Sequence, residues 1–331
     1  MPPALALDGV VVDYQRRHQP SVRAVADVSM QVRTGEVHGL VGESGCGKST
    51  LARAVTGLVP LTSGSIVFDG QPVTPLSRRP RLRHFRRLQM VFQDPYSSLN
   101  PRRTVASQLA DALRRAGGVP ANRRRARIGE LLDTVGIATT SANRLPGEFS
   151  GGQRQRICIA RALAADPMIV IADEPISSLD ASAQAQIANL LVSLTRELGL
   201  GVLLISHDLA IVQHVADVVS VMYLGKVVEH APKRPLWEQP LHPYTEALLA
   251  AAPAHDGEGV LAEGLPGEIP DPADPPPGCR FHPRCRHAFE PCAGEEPALV
   301  TVGPGRSCAC WLREPAATAV EPERGRSNGE G

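Results

Sequence analysis

Between an apolar stretch, Glu36 to Val41, and a helix-like run, Ser49 to Leu58, the chain places Gly42, Glu43, Ser44, Gly45, Cys46, Gly47, Lys48, Ser49 and Thr50. A strand, a glycine-rich turn and a helix in that order put unpaired backbone N–H groups at a helix start, where they can cradle phosphate oxygens. Lys48 adds a point charge for the β and γ phosphates, and the Ser49 hydroxyl can reach Mg²⁺. Lysine occurs only at 48, 226 and 233, so Lys48 is not a by-product of lysine-rich composition. The strand, loop and helix context favours nucleotide binding over a merely structural turn. Cys46, inside the loop, is expected to react with maleimide until Mg-ATP covers it.

A second apolar strand, Met168 to Ala172, delivers Asp173 and Glu174 at its C-terminal end, where open α/β sheets bind ligands. Asp173 can orient Mg²⁺ directly or through its waters, while Glu174, differently directed, can polarise an attacking water. Adjacent carboxylates at a strand end are common, and the phosphate loop is what gives this pair meaning. A third run, Phe149-Ser150-Gly151-Gly152-Gln153-Arg154-Gln155, precedes a helix. Ser150 fits an N-cap and the glycines leave the backbone open to close approach, although on its own the run reads equally as a capped helix.

The elements that must position these groups alternate along the chain. Strand-like segments such as Val10 to Tyr14 and Ser65 to Phe68 surround the loop, and helices with apolar residues at helical spacing follow over Val105 to Ala116 and Arg125 to Val135. The pattern then resumes as helix Gln153 to Ala164, strand Met168 to Ala172, helix Ala183 to Leu198, strand Val202 to Ser206, helix Leu209 to Val215 and strand Val218 to Tyr223. Such alternation predicts an α/β fold with a mostly parallel, helix-covered sheet. The 331 residues allow one large domain plus an appendix, and 43% apolar content is ample for a core. A formal charge of +1 gives no global argument for nucleic acid or an anionic membrane. Arg78 to Arg87, with Phe85 as its one Phe, Tyr or Trp, and Arg123 to Arg127, with none, do not make the aromatic array of a stacking platform and read as solvated helix faces. No apolar run approaches the roughly 18 to 20 residues of a spanning helix, and the N-terminus lacks a basic segment followed by a long apolar one, so a cytosolic chain is expected.

Taken together, the motifs resemble those of the ABC ATPases over roughly residues 5 to 250. Ser150, Gly151, Gly152 and Gln153 look like the signature motif, Gln93 like the Q-loop glutamine, Ser178-Leu179-Asp180 like the D-loop, His207 like the switch histidine and Tyr14 like the aromatic that stacks on adenine. The resemblance implies a P-loop NTPase core with a mixed sheet, an antiparallel β subdomain and a helical insertion over about 95–150. It also implies two nucleotide domains paired head to tail around ATP. Catalytic roles fall to Glu174 and His207, and Mg²⁺ contacts to Ser49, Gln93 and Asp173. Asp180 and the loop residues named above complete the nucleotide site. Phe149 and Ile176 depart from the commoner residues without removing a phosphate, metal or water contact.

Val91 to Arg102 and Pro240-Leu241-His242-Pro243-Tyr244-Thr245 resemble the dipeptide and oligopeptide importers. That implies a peripheral subunit on the cytoplasmic face of the cell (inner) membrane, docked on two integral-membrane permeases served by an extracytoplasmic binding protein. A second ABC ATPase is the expected heterodimer partner, and no nucleic acid is expected. Nickel, glutathione or glycosides remain alternative cargoes, and a soluble ABC ATPase without transport is the rival reading. Pro and Gly density rises from Pro253 to Pro277, which marks a linker or a loop-built appendix; residues 251–312 are expected to be a loop-rich extension and 313–331 a polar, disordered tail. Cys279, Cys285, Cys292, Cys308 and Cys310 crowd into that extension, which in a reducing compartment favours ligation over disulfides. Some members of the family hold an iron–sulfur cluster with such a pattern, which implies Cys279, Cys285, Cys292 and Cys310 as ligands of a 4Fe–4S cluster. Cys308 competes for the fourth place, and Zn²⁺ is the alternative occupant.

Overall fold

The structure is a computed structural model and describes residues 3–16, 19–76, 82–177, 179–251 and 267–313. Ser178, the 252–266 part of the linker and the tail beyond Arg313 therefore lie outside the described residues, as does the 78–81 part of the first arginine-rich segment. The strands are β1 (Leu5–Arg16), β2 (Gln19–Val32), β3 (Val37–Val41), β4 (Ser63–Phe68), β5 (Gln71–Pro72), β6 (Leu88–Val91), β7 (Ile169–Asp173), β8 (Gly201–Ser206), β9 (Val218–Tyr223), β10 (Lys226–Pro232), β11 (Val300–Gly303) and β12 (Arg306–Cys308). They form two sheets. One has the order β2-β1-β4-β5 and is antiparallel; the other runs β11-β12-β10-β9-β3-β8-β7-β6.

Within the larger sheet, β6, β7, β8, β3 and β9 are parallel neighbours. The strands β3, β7 and β8 are buried at every residue, as continuous apolar runs covered on both faces must be. Their side chains divide by the two-residue period of a strand. Val170, Ala172, Val202 and Leu204 join one core with the helices Gly151–Leu163, Ala181–Leu198 and Leu209–Val215. Ile169, Ile171, Leu203 and Ile205 join the other, where Leu51, Ala52 and Val55 of helix Lys48–Val55 pack with Leu5, Val10 and Phe68 of the antiparallel sheet. The helix that starts at the glycine-rich loop is thereby held between two sheets.

The helical stretch expected between about 95 and 150 is present as helices Val105–Ala116 and Arg124–Thr134 with short turns around them. Thr104 caps the first of these by accepting from Ser107 N at 3.3 Å, a cap of about 1 kcal/mol. Val105, Leu109, Leu113, Leu131 and Leu132 are buried and belong to the first core.

The C-terminal extension is rich in loops, as expected, and also carries two short strands: β12 pairs with β10, Glu229 opposite Cys308 and His230 opposite Ser307, and β11 pairs with β12. The unpaired edge that β10 would otherwise expose selects this partner, so the extension continues the central sheet. Between Gly267 and Val300 it is mostly turns.

Candidate nucleotide site

At the C-terminal ends of adjacent parallel strands stand Val41, Ser206 and Asp173, the crevice where open α/β sheets bind ligands. From Val41 the chain enters the loop through Gly42, whose φ is 152° and where an added Cβ would lie 2.1 Å from the Met222 carbonyl oxygen. At the loop's exit Gly47 has φ 107°, and a Cβ there would meet the Ala24 carbonyl oxygen at 2.1 Å. No side chain fits at either end, which is the physical reason for glycine.

Lys48 is buried and its Nζ donates to the carbonyls of Gly42 at 2.7 Å and Glu43 at 2.9 Å. The ammonium thus sits at the loop's mouth, tethered to its backbone. Ser49 Oγ donates to Asp173 Oδ1 at 2.9 Å, which places two of the three expected Mg²⁺ contacts side by side. Burial pushes the Asp173 carboxyl above its ordinary value, opposed by the Ser49 hydrogen bond and reinforced by the neighbouring Glu174 charge.

Glu174 leaves its strand with φ 46°, an uncommon conformation for a residue with a side chain. Its amide donates to the Ile205 carbonyl at 3.0 Å. One carboxylate oxygen accepts from Gln93 Nε2 at 3.1 Å, and the other lies 3.3 Å from His207 Nδ1. Four sequence-expected residues (Asp173, Glu174, Gln93 and His207) are thus gathered beside the loop from three different connections.

The other expected residues fall into three groups. Tyr14, half-exposed on the antiparallel sheet, has its hydroxyl 3.5 Å from Thr50 Oγ1, which puts an aromatic face beside the start of the loop helix. Ser150 caps helix Gly151–Leu163 reciprocally, accepting from Gln153 N at 3.3 Å while Gln153 Oε1 accepts from Ser150 N at 3.0 Å. Gly151 and Gly152 pack against Leu179 and Ala183, each leaving only 3.1 Å to an added Cβ. Asp180 caps the next helix by accepting from Ala183 N at 2.8 Å. Among the described residues no hydrogen bond joins Ser150, Gly151, Gly152 or Gln153 to the phosphate loop.

Two expectations about cysteines change. Cys46 is buried, with its Sγ 3.6 Å from Lys48 Nζ, and burial raises its thiol above the ordinary value. That burial removes the ground for easy maleimide labelling. In the extension, Cys279, Cys285, Cys292 and Cys310 do line one small cavity, and Cys308 does not. That cavity is about 10 Å³, room for one water. No group of three or more His, Cys, Asp or Glu among the described residues could hold a metal ion. Burial pushes the Cys279 thiol up to about 11 and raises Cys285 and Cys310. As placed, the four thiols converge without fitting zinc or a cluster.

Sequence reasoning missed Arg284, Tyr223 and Glu229. Glu229 is fully buried and accepts from the amides of Leu241 and His242, fixing the entry to helix Pro243–Ala250. Nothing local marks it, because its partners are a dozen residues away.

Fold and site define a class: an ATPase of the ABC type, with loop, carboxylate pair, glutamine and histidine at the ends of a parallel sheet. The chain belongs to the ABC transporter family. Residues 25–177 match the ABC transporter family and residues 228–292 the oligopeptide/dipeptide transporter C-terminal region. It is 50% identical to a probable peptide ABC transporter ATP-binding protein of Sinorhizobium fredii, over 91% of this chain and 85% of that one. It is 44% identical to a putative oligopeptide transport ATP-binding protein of Bacillus subtilis, over 96% and 97%. Among solved structures it resembles an ATP-binding cassette seen as a dimer in a post-hydrolysis state with ADP and Pi, at TM-score 0.62 and 28% identity, covering 70% of this chain and 99% of that one. CbiO1 of Clostridium perfringens, part of an ABC transporter complex, aligns at TM-score 0.63 and 28% identity, covering 72% and 92%.

Proposed function

We propose that this chain is the ATP-hydrolysing subunit of a peptide importer. The observation that carries the reading is the meeting of Glu174 with Gln93 and His207 next to the Ser49–Asp173 pair. Gly42 to Thr50 hold the phosphates, with Lys48 moving its hydrogen bonds from loop carbonyls to phosphate oxygens, and Tyr14 stacks on the base. Ser49, Asp173 and Gln93 would hold Mg²⁺, which would neutralise charge on the phosphates. Glu174 orients and polarises the attacking water, and His207, whose Nδ1 lies 3.3 Å from the same carboxylate, senses the γ-phosphate side.

Because Ser150 and its helix start make no hydrogen bond to the loop of their own chain, we assign them to the loop of a second ATPase subunit paired head to tail. There the Ser150 hydroxyl and the amides of Gly151, Gly152 and Gln153 add anion-binding groups to the γ-phosphate, with Asp180 at the seam. Residues 5–250 would form the nucleotide-binding domain and 251–312 the importer-type extension. Among the described residues no helix is long and apolar enough to cross a membrane, so docking on the cytoplasmic face goes through two permease subunits, with a binding protein delivering cargo outside. The relatives' names favour peptides over nickel, glutathione or glycosides.

Affinity purification of the tagged chain from its own cells tests this: two integral-membrane proteins and peptide-stimulated ATP hydrolysis are expected. Recovery with nucleic acid or only soluble proteins would replace the importer by the non-transport ABC ATPase.

A second reading concerns the extension. The convergence of Cys279, Cys285, Cys292 and Cys310 on one cavity supports a thiolate-bound 4Fe–4S cluster or Zn²⁺, provided that the cavity opens to admit it; no step of hydrolysis depends on it. Metal analysis of anaerobically purified protein distinguishes about four irons, one zinc, and no metal, the last of which ends this reading.

A further inference from the structure

The extension reaches the phosphate loop through Arg284. Its guanidinium forks onto Glu43, Nη1 donating to Oε2 at 2.8 Å and Nη2 to Oε1 at 3.0 Å, and Nη1 also lies 3.3 Å from the Tyr223 hydroxyl. The Arg284 side chain is 3% exposed and that of Glu43 17%, so the pair is largely withdrawn from water. The bidentate contact holds the guanidinium firmly charged. Glu43 is fixed at two further points: its amide donates to the Tyr244 hydroxyl at 2.9 Å, and its carbonyl accepts from Lys48 Nζ at 2.9 Å. Phe281, three residues before Arg284, packs its ring 5.3 Å from both Tyr223 and Tyr244, whose own centroids are 4.6 Å apart. Side chain and amide of one loop residue are therefore anchored from beyond the parallel sheet, while its carbonyl holds the phosphate-binding lysine.

We propose that Arg284 is a positioning residue of the nucleotide site: by holding Glu43 it sets where Lys48 and the loop amides stand, so the C-terminal extension tunes nucleotide affinity. This rests on the reading of Gly42 to Thr50 as the ATP loop. Removing the guanidinium leaves a carboxylate that is mostly buried and unpaired, an outcome costlier than losing the pair as a whole. The available relief is movement of Glu43 towards water, and its carbonyl carries Lys48 with it. A lysine supplies the charge without the fork.

Calorimetric titration of the full-length chain with Mg-ADP tests the proposal, with Lys48→Ala as the binding-deficient control and melting temperature measured without nucleotide for each variant. Arg284→Gln is expected to raise Kd at least tenfold and Arg284→Lys by an intermediate factor. The double variant Glu43→Gln/Arg284→Gln is expected to bind no worse than Arg284→Gln alone, because no orphan charge remains. A folded Arg284→Gln protein with lowered melting temperature and unchanged Kd would make the contact merely structural and overturn the proposal. If Arg284→Gln does not fold, Glu43→Gln carries the test, since it must raise Kd several-fold and an unchanged value refutes it. Wild-type protein that fails to bind Mg-ADP would overturn the nucleotide reading itself, and the proposal with it.

Discussion

Glu174 Oε1 lies 3.3 Å from His207 Nδ1, while its second oxygen accepts from Gln93 at 3.1 Å. One carboxylate thus joins the ends of three separate strand connections, and its positive φ is what turns it from the strand axis into that meeting point. Glu174→Gln keeps the shape but loses the charge. The variant should retain nucleotide binding and lose turnover by roughly 10²- to 10⁴-fold, measured as phosphate release in the assembled transporter. Turnover near wild type would remove Glu174 from its role.

Ser150 is both a helix cap and, in the proposed dimer, a phosphate contact. Ser150→Ala should cost about 1 kcal/mol of stability from the cap, yet depress ATP-dependent dimer formation far more than that loss implies. Size-exclusion chromatography with Mg-ATP in the Glu174→Gln background, with the partner ATPase present, separates the two effects. Undiminished dimer would confine Ser150 to capping.

Cys46 should react slowly. Its burial and raised thiol predict that under native conditions maleimide modifies Cys46 more slowly than an exposed thiol by at least an order of magnitude. Peptide mapping after timed labelling gives the rate, and rapid modification of nucleotide-free protein would show that the loop opens.

His38 links stability to pH. Its Nδ1 donates to the Gln31 carbonyl at 3.0 Å, leaving Nε2 to accept from the Ser220 hydroxyl at 2.9 Å. Burial, with the nearby His230, lowers the ring to about 3 from 6.5. The unfolded chain therefore binds a proton that the folded one refuses between those values, so stability falls as pH drops below about 6.5, by up to about 1.4 kcal/mol per pH unit. His38→Gln should flatten that part of the urea-midpoint profile even if it lowers stability at pH 7. A slope unchanged from pH 6.5 to 4 would assign the acid sensitivity elsewhere.

How much was legible beforehand follows from range. The loop, the carboxylate pair, the capped signature helix and nearly every core helix and strand are written in neighbouring residues: apolar period, caps and glycines act over one or two turns of chain. Helices Val105–Ala116 and Leu209–Val215 and strand Val218–Tyr223 have the very bounds their patterns predict. Glycine at 42 and 47 was readable as a phosphate loop, and the structure adds the reason, two carbonyl oxygens that leave no space for a side chain.

What only the tertiary structure decided depends on contacts between distant segments. That the cysteine-bearing extension continues the central sheet was hidden, because pairing of β12 with β10 joins residues far apart with no local code for partner choice. That Cys46 is buried was hidden for the same reason. The Arg284–Glu43 fork spans 241 positions; in sequence each is one charged residue among many. The sequence determined which groups could meet a phosphate, whereas long-range packing fixed which buried charges face one another, since that depends on which surfaces the folded chain removes from water.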